Sequence, residues 1–96
     1  MRHDLKIWPQ FYCRVADGSK TFELRNNDRA FQSGDTIVLR EWDPTPINSN
    51  SLSPRGYLTE SEPLEFTVGH IQIVSKNEVI FSLLPVKRPA KLTKLK

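Results

Sequence analysis

Residues 18–25 read Gly18-Ser19-Lys20-Thr21-Phe22-Glu23-Leu24-Arg25. A glycine that can take a left-handed conformation is followed by a strictly alternating run, the pattern of a helix stop and then a strand. Phe22 and Leu24 face one way, while Thr21, Glu23 and Arg25 face the other. The strand is therefore half buried and carries a polar row. Upstream, residues 3–8 predict a short strand with Leu5 and Ile7 on one face. Pro9 suits the first turn of a helix, where its missing N–H has no partner to lose. Phe11, Tyr12 and Val15 recur at helical spacing, so a short helix spans 9–17 and Gly18 ends it.

Downstream, residues 26–32 are polar and irregular, with Phe31 as an anchor into the core. Ser33-Gly34-Asp35 is a turn signal. Residues 36–42 carry Ile37-Val38-Leu39, which suits a strand buried on both faces. Residues 43–61 hold Pro44, Pro46, Pro54 and Gly56 among Asn and Ser, and read as a long surface loop. Within it, residues 56–59 form a brief strand or a lid over a site. Residues 63–74 are the longest strand. Its apolar phase switches from Leu64, Phe66 and Val68 to Ile71 and Ile73 after Gly69, which predicts a β-bulge. Asn77-Glu78 is a turn, and residues 79–84 close the domain with an exposed edge that would permit a dimer. Pro85 and Pro89 end regular structure. Five or so short strands and one early helix make a mainly β, α+β protein: a small, partly closed β-barrel plugged or flanked by the helix.

The chain has 96 residues, 38% hydrophobic and 26% charged. That is one soluble domain, read as residues 1–86, with a basic tail at 87–96. No apolar run approaches the ~18 residues a membrane span needs. No apolar signal segment follows Met1-Arg2-His3-Asp4. The lone Cys13 cannot form an internal disulfide or a multi-cysteine zinc site, so a cytoplasmic location is the expectation. Cys13 itself reads as a core residue. His3 and His70 are too few and too isolated for zinc, and neither metal nor cofactor is expected. The net charge is +3, but Lys87, Arg88, Lys91, Lys94 and Lys96 stand in a tail without acids. The other 86 residues hold nine bases against eleven acids. Such a tail is a solvated terminus or an arm that touches phosphates without reading sequence.

The polar row suggests chemistry. Glu23 and Arg25 lie about 7 Å apart on one strand face, with Lys20 just before them. Arg25 offers a planar fork and Lys20 a point charge, which together suit a phosphate or a base edge. Glu23 would accept a hydrogen bond from an exocyclic amine. Without further support, the same residues make an exposed ion-pair ladder of little energetic consequence. Trp8, Trp42 and Tyr57 are aromatic faces on which a base would stack, with Arg40 beside Trp42 on its strand. Core packing is the competing reading of Trp8.

The motif Gly18, Lys20, Glu23, Arg25 resembles the signature of the ASCH domain, a member of the PUA-like superfamily. The runs Leu5-Lys6-Ile7-Trp8-Pro9, Arg25-Asn26-Asn27-Asp28-Arg29-Ala30-Phe31-Gln32-Ser33-Gly34-Asp35 and Leu39-Arg40-Glu41-Trp42-Asp43-Pro44 resemble the DUF3850 group of small bacterial and phage proteins. The resemblance covers roughly residues 3–84. It implies a PUA-like barrel with a cleft between barrel and helix, and recognition of RNA or a modified nucleotide there. Some ASCH proteins are amidohydrolases acting on N4-acylated cytidine, in which a motif lysine activates a threonine three residues later. Here Lys20 matches the lysine, Glu23 stands at the nucleophile position, and Thr21 follows the lysine directly. Nucleotide binding by a monomer is therefore the expectation. An amidohydrolase using Lys20, Thr21 and Glu23 is the alternative, and a protein-interaction factor on the same scaffold is a third.

Overall fold

The computed structural model describes residues 1–86; the basic tail expected at 87–96 lies outside the described residues. The elements in chain order are β1 (Arg2–Ile7), α1 (Pro9–Ala16), β2 (Phe22–Asn26), β3 (Thr36–Pro46), β4 (Pro54–Tyr57), β5 (Leu64–Ile73) and β6 (Glu78–Pro85). They form one mainly β architecture with strand order β1-β3-β5-β6-β2, and β4 pairs with β3 off that path. β1 runs parallel to β3, and every other pairing is antiparallel. No helix among the described residues is long and apolar enough to cross a membrane.

The expected barrel is not closed. The hydrogen-bonded path begins at β1 and ends at β2, so among the described residues the sheet is open. At that seam a side chain takes the place of a ladder: Arg25 Nη2, on β2, donates to the Lys6 carbonyl of β1 at 2.8 Å. The guanidinium satisfies a carbonyl that the edge of the sheet would otherwise leave to solvent.

Pro9 opens α1 and Gly18, at φ 86°, follows its last turn, as the sequence predicts. Val15 is the helix's buried residue. Cys13, expected in the core, is exposed. The reason is helical geometry: two residues are about 200° of rotation at 3.6 residues per turn, so Cys13 and Val15 face opposite ways. Phe11 is also largely exposed and belongs to the site described below.

The core is built from inward positions of the strands, chiefly Leu5, Ile7, Ile37, Leu39, Val68 and Phe81. Phe31 packs on Phe81 at 4.9 Å between ring centroids, the anchor expected of it. Val38 is also buried, so residues 37–39 are covered on both faces. The bulge at Gly69 is present, for the β5–β6 register shifts between Val68 and Ile71. A Cβ at Gly69 would run into Ser82 Oγ and Leu84, and the same Oγ accepts the His70 N–H at 2.9 Å.

Two other expectations change. Residues 43–61 are not simply a loop: β3 runs on to Pro46 and β4 folds back on it, pairing Tyr57 with Trp42. Prolines are tolerated because this arm is off the main sheet path, where missing N–H donors leave few ladder bonds unmade. Nor is β6 an edge, since it lies between β5 and β2. The dimer route through its exposed edge is therefore closed.

Candidate functional site

The β2–β6 register pairs Glu23 with Phe81 and Arg25 with Val79. Phe81 and Val79 are core residues, so the polar row of β2 shares the core face of the sheet. Phe22 and Leu24 point outward and are 45% and 52% exposed. The strand is thus turned over relative to the usual apolar-in arrangement. An exposed ion-pair ladder is excluded, because Glu23 is only 4% exposed.

A buried carboxylate needs partners for its lone pairs. Lys20 Nζ donates to Glu23 Oε1 at 2.6 Å. Arg25 donates to Glu23 Oε2 through both Nε (2.9 Å) and Nη2 (2.6 Å). Three of roughly four acceptor positions are thereby filled. The cations keep spare capacity. Lys20 Nζ has one further contact, to the Phe22 carbonyl at 2.6 Å. Arg25 Nη1 makes no hydrogen bond among the described residues. The cluster carries net charge +1, and apart from one remaining Glu23 acceptor position its unused groups are donors.

Over this cluster opens a cleft of about 560 Å³ along the β1–β2 seam, walled by Trp8, Phe11, Phe22 and Leu24. Trp8 is 46% exposed and stacks on Phe11 with centroids 6.5 Å apart and planes 20° from parallel. Trp8 is therefore a lip of the cleft and not a core side chain. Lys20 Nζ sits 4.9 Å from the Phe22 ring centroid, so the aromatic wall also faces a cation.

The sequence-predicted residues are brought together unequally. Lys20, Glu23, Arg25 and Trp8 share the apolar cleft. Trp42 and Tyr57 stand across the seam, where Lys6 Nζ lies 4.4 Å and 6.0 Å from their ring centroids. Arg40 is elsewhere: it lines a separate groove with Tyr57, Leu58 and Ser61, beside a Ser61–Glu41 hydrogen bond. Thr21 is exposed and is not part of the apolar cleft's lining.

Lys6, Phe11 and Phe22 were not anticipated as site residues. The alternation of β1 does place Lys6 opposite Leu5 and Ile7, so its exposure was readable; its aromatic neighbours come from β3 and β4 and were not. His3 has a carboxylate partner that the sequence reading does not name. It shares the inward face with Leu5 and Ile7, and its Nε2 lies 2.8 Å from Asp35 Oδ2. That hydrogen bond, with the Gln32 N–H as a further donor, holds the Asp35 carboxyl below its ordinary range. Tyr12 donates to the Glu62 carbonyl at 2.6 Å, and burial together with the nearby Glu41 and Glu62 pushes its phenol up. Among the described residues no three His, Cys, Asp or Glu side chains converge as metal ligands would.

Fold and site together define a small mainly β protein with a buried ion cluster under an aromatic cleft at an open sheet seam. Residues 2–73 match the family described as "Domain of unknown function (DUF3850)", and the chain belongs to that family. The match runs from β1 to the end of β5 and so contains the cluster and both walls of the seam. The chain is also similar to an "Uncharacterized 12.9 kDa protein in GpA 3'region" of Escherichia phage P2, 38% identical over 40 residues. That alignment covers 42% of this chain and 37% of the phage protein, so the chain matches little more than a third of its relative's length.

Proposed function

We propose that this protein binds RNA or a modified nucleotide, seating a base in the Trp8–Phe11–Phe22 cleft. The observation that carries the reading is the buried Lys20–Glu23–Arg25 cluster lying directly beneath an exposed aromatic wall. Ion pairs are seldom buried for stability alone, because desolvation offsets most of their attraction. Exposed aromatics beside cations suit base stacking and acceptor recognition. In this reading Trp8 stacks on the base. Lys20 Nζ and Arg25 Nη1 donate to acceptors on its edge. Glu23 chiefly orients the two cations, since most of its own lone pairs are occupied.

A PUA-like, ASCH relationship accounts for the motif, for the helix inserted between β1 and β2, and for end strands close enough for Arg25 to bridge. The tail bases at 87–96 would add sequence-independent phosphate affinity in the cytoplasm. An amidohydrolase is the weaker alternative, because Thr21 lies outside the cleft lining.

The test is an NMR titration at about physiological salt with short single-stranded RNAs and nucleosides, including N4-acetylcytidine. Shifts at Lys20, Arg25 and the Trp8 indole are expected. Loss of the acetyl signal would show hydrolysis instead. Shifts absent from the cleft would overturn the reading, and a chain ending at Val86 separates cleft binding from the tail's contribution.

A further inference from the structure

A second cleft, of about 520 Å³, lies on the other side of the Arg25–Lys6 bridge. The two clefts share three lining residues, Lys6, Leu24 and Arg25. Their divide is therefore a ridge carrying two cations. Arg25 Nε and Nη2 are committed to Glu23 and to the Lys6 carbonyl, which leaves Nη1 to spare. Lys6 Nζ has no carboxylate partner among the described residues and rests over the Trp42 ring at 4.4 Å.

The clefts differ in chemistry. The first is aromatic and apolar, with donors at its floor. The second is polar, and Asp28 and Glu78 stand in it beside Arg29 and the half-exposed Tyr57. Carboxylates there repel a phosphate but accept hydrogen bonds from exocyclic amines and ribose hydroxyls. The charged lining of the second cleft balances, with Asp4, Asp28 and Glu78 against Lys6, Arg25 and Arg29, so an anion is favoured chiefly on the ridge, while each cleft offers an aromatic face.

From this juxtaposition we infer that the site takes a dinucleotide step and not a lone nucleoside. The internucleotide phosphate lies on Lys6 and Arg25, one base enters the Trp8 cleft, and an amine-bearing base enters the Tyr57 cleft. The inference rests on the nucleotide-binding reading above and narrows its substrate class to the polynucleotide.

The experiment measures affinities of the full chain for cytidine, adenosine, the dinucleotides CpA and CpU, and CpA with a neutral methylphosphonate link. One phosphate contact and a second stacked base predict that CpA binds at least about ten-fold more tightly than either nucleoside. The neutral link should lose most of that gain, and CpU, without the second amine, should bind more weakly than CpA. Lys6 is exposed, so Lys6→Gln should fold; it should shrink the CpA-to-cytidine affinity ratio to within about two-fold and lower the salt slope by about 0.7. Equal affinity for CpA and cytidine, with cytidine still shifting Trp8 and Lys20, overturns the two-cleft inference and leaves single-base binding intact. No response to any titrant overturns both.

Discussion

Removing the Glu23 carboxylate tests the site's architecture most directly. Glu23→Ala leaves Lys20 and Arg25 without their shared anion, with those side chains only 19% and 24% exposed. Breaking a buried pair by deleting one partner costs about 3–5 kcal/mol when the survivor stays dry. Both surviving cations have some access to water through the cleft, so the expected loss is lower, about 2–3 kcal/mol. For a domain of this size that is a fall of roughly 8–24 °C in Tm. An exposed ladder would instead contribute about 0–1 kcal/mol. The assay is urea unfolding of wild type, Glu23→Ala, Arg25→Ala and the double variant. Coupling between Glu23 and Arg25 should exceed about 1.5 kcal/mol, because two charge-assisted hydrogen bonds join them. A loss under about 0.5 kcal/mol, or additive single effects, would refute the reasoning. Glu23→Gln should fall between, since its amide keeps one acceptor oxygen while its NH₂ opposes a cation.

Three further outcomes follow from particular contacts. The Asp35 carboxyl is held low by His3, so its stabilisation is present above the unfolded value of about 3.9 and is lost as pH falls through the lower folded value. Asp35→Asn should therefore flatten part of the urea midpoint's decline below about pH 4; an unchanged slope would count against the His3–Asp35 bond. It removes only part, because hydrogen bonds from Ser19 and Thr45 also lower the Asp17 and Asp43 carboxyls. Gly69→Ala should destabilise by about 1–3 kcal/mol through its collision with Ser82 Oγ, and Ser82→Ala in the same chain should restore part of that; no rescue would mean the bulge is not tight there. Cys13 should react with a thiol reagent in the native protein at nearly the rate of the unfolded chain, whereas strong protection would place it back in the core.

Much of the fold follows from local pattern. Pro9 and Gly18 bound the helix by backbone chemistry alone, and the phase switch at Gly69 marks the bulge because side-chain direction alternates strictly along a strand. The Ile37-Val38-Leu39 run shows a strand covered on both faces because only such a strand tolerates continuous apolar side chains. These are short-range consequences of sterics and burial. Cys13 shows where that reasoning stops: its hydrophobicity permitted burial, but the helix's rotation against the sheet was not a local property. The β3–β4 arm shows it again, since prolines argue against strand locally and cannot say whether two segments meet off the main sheet.

Alternation along residues 21–25 sorted Thr21, Glu23 and Arg25 onto one face and Phe22 and Leu24 onto the other, and the motif grouped Lys20 with them. It could not say which face looks inward. Burial of either row is allowed on sequence grounds, because a carboxylate between two cations and a pair of apolar side chains can both be satisfied inside. Pairing with β6 settled the matter by setting Glu23 opposite Phe81. The open seam then placed β1 beside β2, so Lys6, Trp8 and Phe11 became neighbours of a row that their positions in the chain do not reveal. Side-chain period is a property of a few consecutive residues; which side becomes interior, and which distant residues share a cleft, depends on how the strands are ordered and where the sheet fails to close.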